Sequence, residues 1–239
     1  MWQSHTHSQP PNAPLFFGDF ASDPALFTEE KLNGFDAWLG PGTLLTVPAL
    51  YEGELFRPVY FPKSHDKDQS LYFDLHAPYN THPAGSTATI STPLEHIGLF
   101  AREGAVIPVG KSKATVTQQD GPARRHTDGV DVVLEEDGGT VALDDWRGVK
   151  IFPGEKGEYV GEWIEDDGIS ADPAKSVVEV RYTATEKYNE VSAKWKEHAF
   201  KPLWGKTLDV ILPVKDSRIV KGAKEVSYNG RQAWRIDIA

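Results

Sequence analysis

The chain has 239 residues, 21 of them glycine and 17 proline, with 39% hydrophobic and 11% aromatic side chains. That punctuation excludes a coiled coil or long-helix bundle, and the apolar content excludes a disordered tail. A net charge of −10 disfavours nucleic acid and anionic membranes as partners, and the lack of cysteine removes disulfides, thiolate catalysis and Cys-based zinc sites.

Met1 to Pro11 is polar, reads as loop and carries no apolar signal-peptide core. Pro14-Leu15-Phe16-Phe17 reads as a buried strand. Asp23-Pro24 is a helix start, with an acid at the N-cap and proline at the first helical position. A short helix is expected through Ala25 to Leu32, ending near Asn33-Gly34. From Trp38 the pattern becomes short strands divided by Gly, Pro, Asn and Asp. These fall at Thr43–Pro48, Arg57–Phe61, Leu71–Leu75, Thr87–Ser91, Leu99–Ile107, Val109–Gln119 and Val130–Leu134. Asp137-Gly138-Gly139 marks a hairpin leading to Thr140–Leu143. Later strands are expected at Lys150–Phe152, Tyr159–Ile164, Val177–Thr185, Val191–Lys196 and Leu208–Leu212. Asn229-Gly230 is a strong hairpin signal, since a type I′ turn needs positive φ at both central residues. Beyond it, Trp234, Ile236 and Ile238 alternate with Arg235 and Asp237, giving one dry face and one wet face. The longest apolar runs, such as Leu44–Leu50 and Ala105–Val109, are too short to span a bilayer, so a soluble protein is expected. The loop-rich stretch Gly110–Asp128 suggests a break between two β-sandwiches.

No cluster of side chains makes a compelling active site. His5-Thr6-His7 lacks a third metal ligand nearby, and His65-Asp66-Lys67-Asp68 lacks the glycine and the final glutamate of a calcium loop. Glu165-Asp166-Asp167-Gly168 is the densest carboxylate group. Neighbours along a turn point in different directions, so backbone capping is favoured over acid–base work. Glu135-Glu136-Asp137 and Asp144-Asp145 read in the same way, as hairpin ends. Trp146, Trp163, Trp195 and Trp204 could stack on sugars, although core packing is the favoured role for each. Nucleophile-elbow, phosphate-loop and dinucleotide patterns are absent. No catalytic residue, metal ligand or cofactor-binding residue is therefore assigned, and no cofactor is expected.

Several segments resemble glycoside hydrolase family 31. They are Pro14–Phe17, Asp23-Pro24, Leu39–Leu50, Arg57–Pro62 and Leu71–Asp74. The fullest likeness is Thr92–Pro108, Thr-Pro-Leu-Glu-His-Ile-Gly-Leu-Phe-Ala-Arg-Glu-Gly-Ala-Val-Ile-Pro. Glu165–Ser170 and Asn229-Gly230 are similar to turns nearer the family's C-terminus. Ile164 and Phe35-Asp36 depart from the family pattern, and the acidic motifs of its catalytic (β/α)8 barrel do not occur here. The resemblance implies an all-β chain: residues 1–38 as a remnant of the last barrel strand and helix, then two antiparallel β-sandwich domains at 39–112 and 113–239. Phe16, Phe17, Leu26 and Phe27 would then be partly uncovered. It also implies an accessory C-terminal portion of a retaining α-glycosidase that hydrolyses O-glycosyl bonds of α-glucosides or α-xylosides. Such a portion would be inactive alone and would meet carbohydrate through the missing barrel. A free-standing carbohydrate-binding or structural sandwich is the alternative.

Overall fold

A computed structural model describes residues 8–32, 34–40, 42–65, 70–76, 79–95, 97–110, 146–167 and 170–239, with the backbone of 124–127 and 130–133. The first sandwich is built from β1 (Asn12–Pro14), β2 (Ala37–Leu39), β3 (Leu44–Val47), β4 (Phe56–Tyr60), β5 (Leu71–Asp74), β6 (Thr81–Pro83), β7 (Thr87–Ser91) and β8 (Gly98–Arg102). One sheet has the order β1-β2-β3-β8-β5-β6, and β4 pairs with β7 as a two-stranded partner. Pro58 lies within β4 without breaking a ladder, because β4 is paired on one side only. Leu45, Val47 and Phe100 from the large sheet meet Val59 and Ile90 from the small one in a single core, together with Trp38, Phe61 and Tyr72.

The N-terminal segment belongs to that core. Ala13, Leu15, Phe20 and Leu26 are buried in it, and the Trp38 indole N–H donates to the Leu15 carbonyl at 3.1 Å. The expectation of an uncovered face is therefore corrected: Leu26 is fully buried, Phe16 and Phe17 pack partly against the core, and Phe27 alone of the four stays half-exposed. The strand lies earlier than expected, at Asn12–Pro14 instead of Pro14–Phe17, and the Phe17 N–H closes a turn onto the Pro14 carbonyl at 3.0 Å. The helix is also reshaped. Two 3-10 turns, Gly18–Ser22 and Pro24–Phe27, precede a single α-turn, α1 (Glu29–Leu32). Asp23 still caps as expected, accepting from the Ala25 N–H at 3.1 Å. It is held elsewhere too, so tertiary bonds rather than helix propensity set this path.

The expected strand Leu99–Ile107 is two strands in different sandwiches. β8 ends at Arg102, and β9 (Val106–Val109) pairs with β12 (Gly148–Ile151) of the second sandwich. Between them the chain turns at Gly104, whose φ of +91° suits glycine, and any Cβ there would sit 2.6 Å from the Tyr159 ring. The passage between sandwiches thus falls ahead of the loop-rich stretch and of the expected boundary at residue 112.

The second sandwich continues with β13 (Gly157–Glu165), β14 (Ser176–Ala184), β15 (Tyr188–His198), β16 (Thr207–Ile211), β17 (Ile219–Lys221), β18 (Lys224–Tyr228) and β19 (Arg231–Asp237). Its sheets are β18-β19-β16-β12-β9 and β13-β14-β15-β17. Val149, Leu208, Val210, Trp234 and Ile236 of the first pack on Val178, Val180, Tyr182 and Val191 of the second. Both sheets are mixed rather than purely antiparallel, since β12 runs parallel to β16 and β15 parallel to β17. The Asn229-Gly230 turn is as expected, with φ of 48° and 73° between the paired residues Tyr228 and Arg231. A separate hairpin joins β10 (Arg124–Thr127) to β11 (Val130–Val133). The expected hairpin at Asp137-Gly138-Gly139 lies outside the described residues.

The sandwiches meet along a seam. Phe73, Tyr79 and Ala101 of the first pack with Ala105 and Phe152 at the start of the second. Backbone bonds cross it from Gly104 N–H to the Phe152 carbonyl (2.9 Å) and from Phe152 N–H to the Ala105 carbonyl (3.1 Å). Glu103 joins both sides, accepting from the Leu71 N–H and from the Tyr159 hydroxyl.

Burial gives this architecture a defined pH response. Desolvation pushes the phenols of Tyr72, Tyr159 and Tyr182 well above the usual tyrosine range; at Tyr159 the nearby Glu103 carboxylate adds to it. A raised folded-state pKa means the folded form favours the protonated phenol. Its contribution is complete below the unfolded value of about 10 and is lost as pH climbs toward the folded value. The melting temperature is expected to hold from pH 8 to 9 and then fall steeply above about pH 10. Calorimetry across that range checks it, and a flat profile to pH 11.5 would contradict it.

Candidate docking surface

Of the carboxylates and tryptophans singled out from the sequence, Glu135 to Asp137, Asp144 and Asp145 lie outside the described residues, and Glu165, Asp167 and the four tryptophans are engaged in holding the fold. Glu165 is paired with Arg147 at 2.9 Å and accepts from the Trp163 indole at 3.0 Å. Asp167 accepts from the Ser170 N–H at 2.9 Å and from its hydroxyl, the capping role expected of that turn. Trp163 and Trp204 are buried in the second core, and Trp195 stacks between His198 and Trp204. Trp146 lies flat on Tyr228, centroids 4.7 Å apart, and donates to Asp209 at 2.7 Å. The His65 N–H donates to the Asp19 carbonyl, whereas Asp66 to Asp68, His5 and His7 lie outside the described residues. Among the described residues, no three His, Asp or Glu side chains are gathered as a metal site would need. Among the described residues the structure pairs Trp163 with Glu165 and Trp195 with Trp204, but it gathers these candidates into no single site.

What the sequence reading missed is a set of buried charges and the apolar surface they brace. Asp23 accepts from the Tyr60 hydroxyl and the Lys63 N–H, both at 2.8 Å, in addition to its cap bond. These bonds clamp the N-terminal turns against β4 and the loop after it. Burial and the Asp23 carboxylate together push the Tyr60 phenol above its ordinary range. Arg57, largely buried in β4, is paired with Asp36 and donates to the Pro48 carbonyl at 3.1 Å. One guanidinium therefore ties the entry to β2, the exit of β3 and the start of β4.

That knot defines one end of the first sandwich, opposite the end of β8 that leads through Gly104. Phe35 precedes Asp36, and Val47 pairs with Gly98 so that Ile97 lies beside the Pro48 turn. Phe56 pairs with Ser91, and the next residue, Thr92, binds back to Leu55 and Glu54, which places Leu94 close by. The Glu54 N–H donates to the Tyr51 carbonyl, closing the loop. Phe35, Tyr51, Leu55, Phe56, Leu94 and Ile97 are all more than half exposed, Leu94 at 90%. Scattered exposed apolar residues are ordinary, but six large ones at one end make that end a candidate docking surface. Phe35, Tyr51, Leu55, Leu94 and Ile97, apolar residues in connections between elements, carried a local signal of it, whereas Phe56 within β4 did not.

A family comparison shows what this sandwich is similar to. The model of the glycosyl hydrolase family 31 C-terminal domain matches residues 8–107. Over those residues the chain is similar to a family 31 C-terminal domain. The matched span begins ahead of β1 and ends inside β9, so it takes in the N-terminal turns, the clamp at Asp23 and the whole apolar end. No curated protein sequence matches the chain. Among solved structures the fold is similar to a family 31 dextranase from Flavobacterium johnsoniae in complex with glucose, with 18% identity over 96% of this chain and 24% of that one and a TM-score of 0.66. It is also similar to the family 31 α-xylosidase from Xanthomonas citri, with 18% identity, 98% and 22% coverage and a TM-score of 0.60. The glucosidase II α subunit is similar at 17% identity, 98% and 24% coverage and a TM-score of 0.54. The chain thus spans about a quarter of each enzyme's length, and both sandwiches lie within the shared fold. No helix among the described residues is long and apolar enough to cross a membrane.

Proposed function

We propose that the chain is the C-terminal accessory portion of a retaining α-glycosidase acting on α-glucosides or α-xylosides, and that a separate catalytic portion supplies the reacting carboxylates. The observation that carries this reading is the apolar end of the first sandwich, where Phe35, Phe56, Leu94 and Ile97 stand in solvent on a braced scaffold. An enzyme whose relatives are about four times as long has a partner for that face within its own family architecture. In this reading the segment through residue 38 leads from the catalytic portion and packs on the first sandwich, and the distal sandwich follows Gly104.

Retaining cleavage needs a nucleophilic carboxylate and a proton-donating partner about 5–5.5 Å apart across the scissile bond. Glu165 serves Arg147 and Trp163 instead, and Asp167 serves Ser170. The purified chain is therefore expected to release no nitrophenol from a panel of aryl α-glycosides. Turnover that both Asp166→Asn and Asp167→Asn abolish would place an active site at that turn and overturn the proposal.

A further inference from the structure

A cleft of about 300 Å³ opens on the second sandwich beside the β18–β19 hairpin. Its floor is apolar, from Phe152, Ile211, Leu212 and Pro213, and its polar groups are Lys150, Tyr228, Asn229 and Arg231. No carboxylate lines it, although the chain carries ten more acids than bases. Lys150 and Arg231 form no ion pair within the described residues, whereas Arg147, Arg218 and Arg235 are each matched to an acid. Two unmatched cations converging on one concavity create a local positive field in an acidic protein.

The groups are held on rigid elements. Lys150 pairs with Ile211 across β12 and β16, and Asn229 and Arg231 flank the tight turn at Gly230. Trp146 covers one face of Tyr228 and does not line the cleft, so Tyr228 meets it with the remainder of its ring. Tyr79 and Pro213 also line a second groove of about 420 Å³ along the seam, giving a longer ligand room to continue. Concave, and lined by apolar side chains together with several polar groups, the cleft has the character of a site for a polar small molecule.

We propose that this cleft binds the uronic-acid unit of an acidic saccharide, its carboxylate between Lys150 and Arg231 and its ring over the apolar floor. The oxyanion part of the assignment stands on the cleft itself; the saccharide part rests on the reading of the chain as a portion of a glycosidase. Hydrogen bonds to charged groups are worth more than neutral ones, so loss of either cation is expected to weaken binding roughly tenfold.

Calorimetric titration of the 239-residue chain tests this with three probes: a glucuronic-acid-terminated disaccharide, maltose and inorganic phosphate. The acidic disaccharide is expected to bind most tightly, with maltose and phosphate each roughly tenfold weaker or worse. Lys150→Ala and Arg231→Ala are expected to lose about that factor, and Lys150→Arg to retain most of the affinity. Affinity is also expected to fall as salt rises. Equal binding of maltose, phosphate as tight as the disaccharide, insensitivity to both alanine variants, or no binding would each overturn the proposal. None of these outcomes bears on the apolar end, so failure here and failure of the accessory-portion reading are separately visible.

Discussion

A chain lacking residues 1–36 is expected to lose the first sandwich altogether. The deletion removes β1 and strips Leu15, Phe20 and Leu26 from a core in which none is more than 5% exposed. Large-to-small changes at such positions cost about 2–5 kcal/mol each. Three together approach the roughly 5–15 kcal/mol that keeps a domain folded. The deletion also takes Asp23, leaving the Tyr60 hydroxyl and Lys63 N–H without their acceptor, and Asp36, leaving Arg57 as an unmatched buried charge. Breaking a buried ion pair in that way costs about 3–5 kcal/mol more. Thermal scans of the full chain and of residues 37–239 check the expectation. Only the transition of the second sandwich should survive the deletion, with near-UV ellipticity from Trp38 lost. A shortened chain that melts like the parent and is more soluble would show that the segment is a detachable remnant.

The fold was legible where local chemistry decides it. Asn229-Gly230 specifies its own turn, and the alternation Trp234, Ile236, Ile238 buries those three side chains while Arg235 turns outward to Asp209. It was less legible where partners decide. The run from Leu99 to Ile107 has nothing in its hydrophobicity to show that its halves join different sandwiches; the Gly104 turn and the close Tyr159 ring do that. Parallel pairing of β12 with β16 leaves no trace in side-chain alternation, which reports faces and not neighbours. The N-terminal segment was misplaced because the apolar residues Phe16 to Phe27 look alike whether they face a barrel or fold back on Trp38. The docking surface was hidden for a related reason. Phe56 and Val59 are both apolar residues of β4 and lie three apart, on opposite faces; alternation does not say which face is dry, and the packing that buries Arg57 and Val59 together decides it.

Charge placed on the apolar end is expected to abolish its association with a catalytic portion. Phe56 and Leu94 are 63% and 90% exposed, so replacing them by aspartate leaves the chain's own core intact. Within an interface, each change would bury an unmatched carboxylate in place of a large apolar anchor, a loss of about 2 kcal/mol or more apiece. Together they correspond to roughly a thousandfold in dissociation constant. The most direct measurement is therefore binding between this chain and a purified catalytic (β/α)8 portion of a family 31 α-glycosidase. The parent chain and a control, Leu203→Asp on the second sandwich, are predicted to form a tight one-to-one complex with α-glycosidase activity. The Phe56→Asp, Leu94→Asp variant is predicted to bind about a thousandfold more weakly while keeping the parent's melting profile. Equal binding by the parent and the doubly charged variant, or no catalytic portion that binds either, would contradict the account.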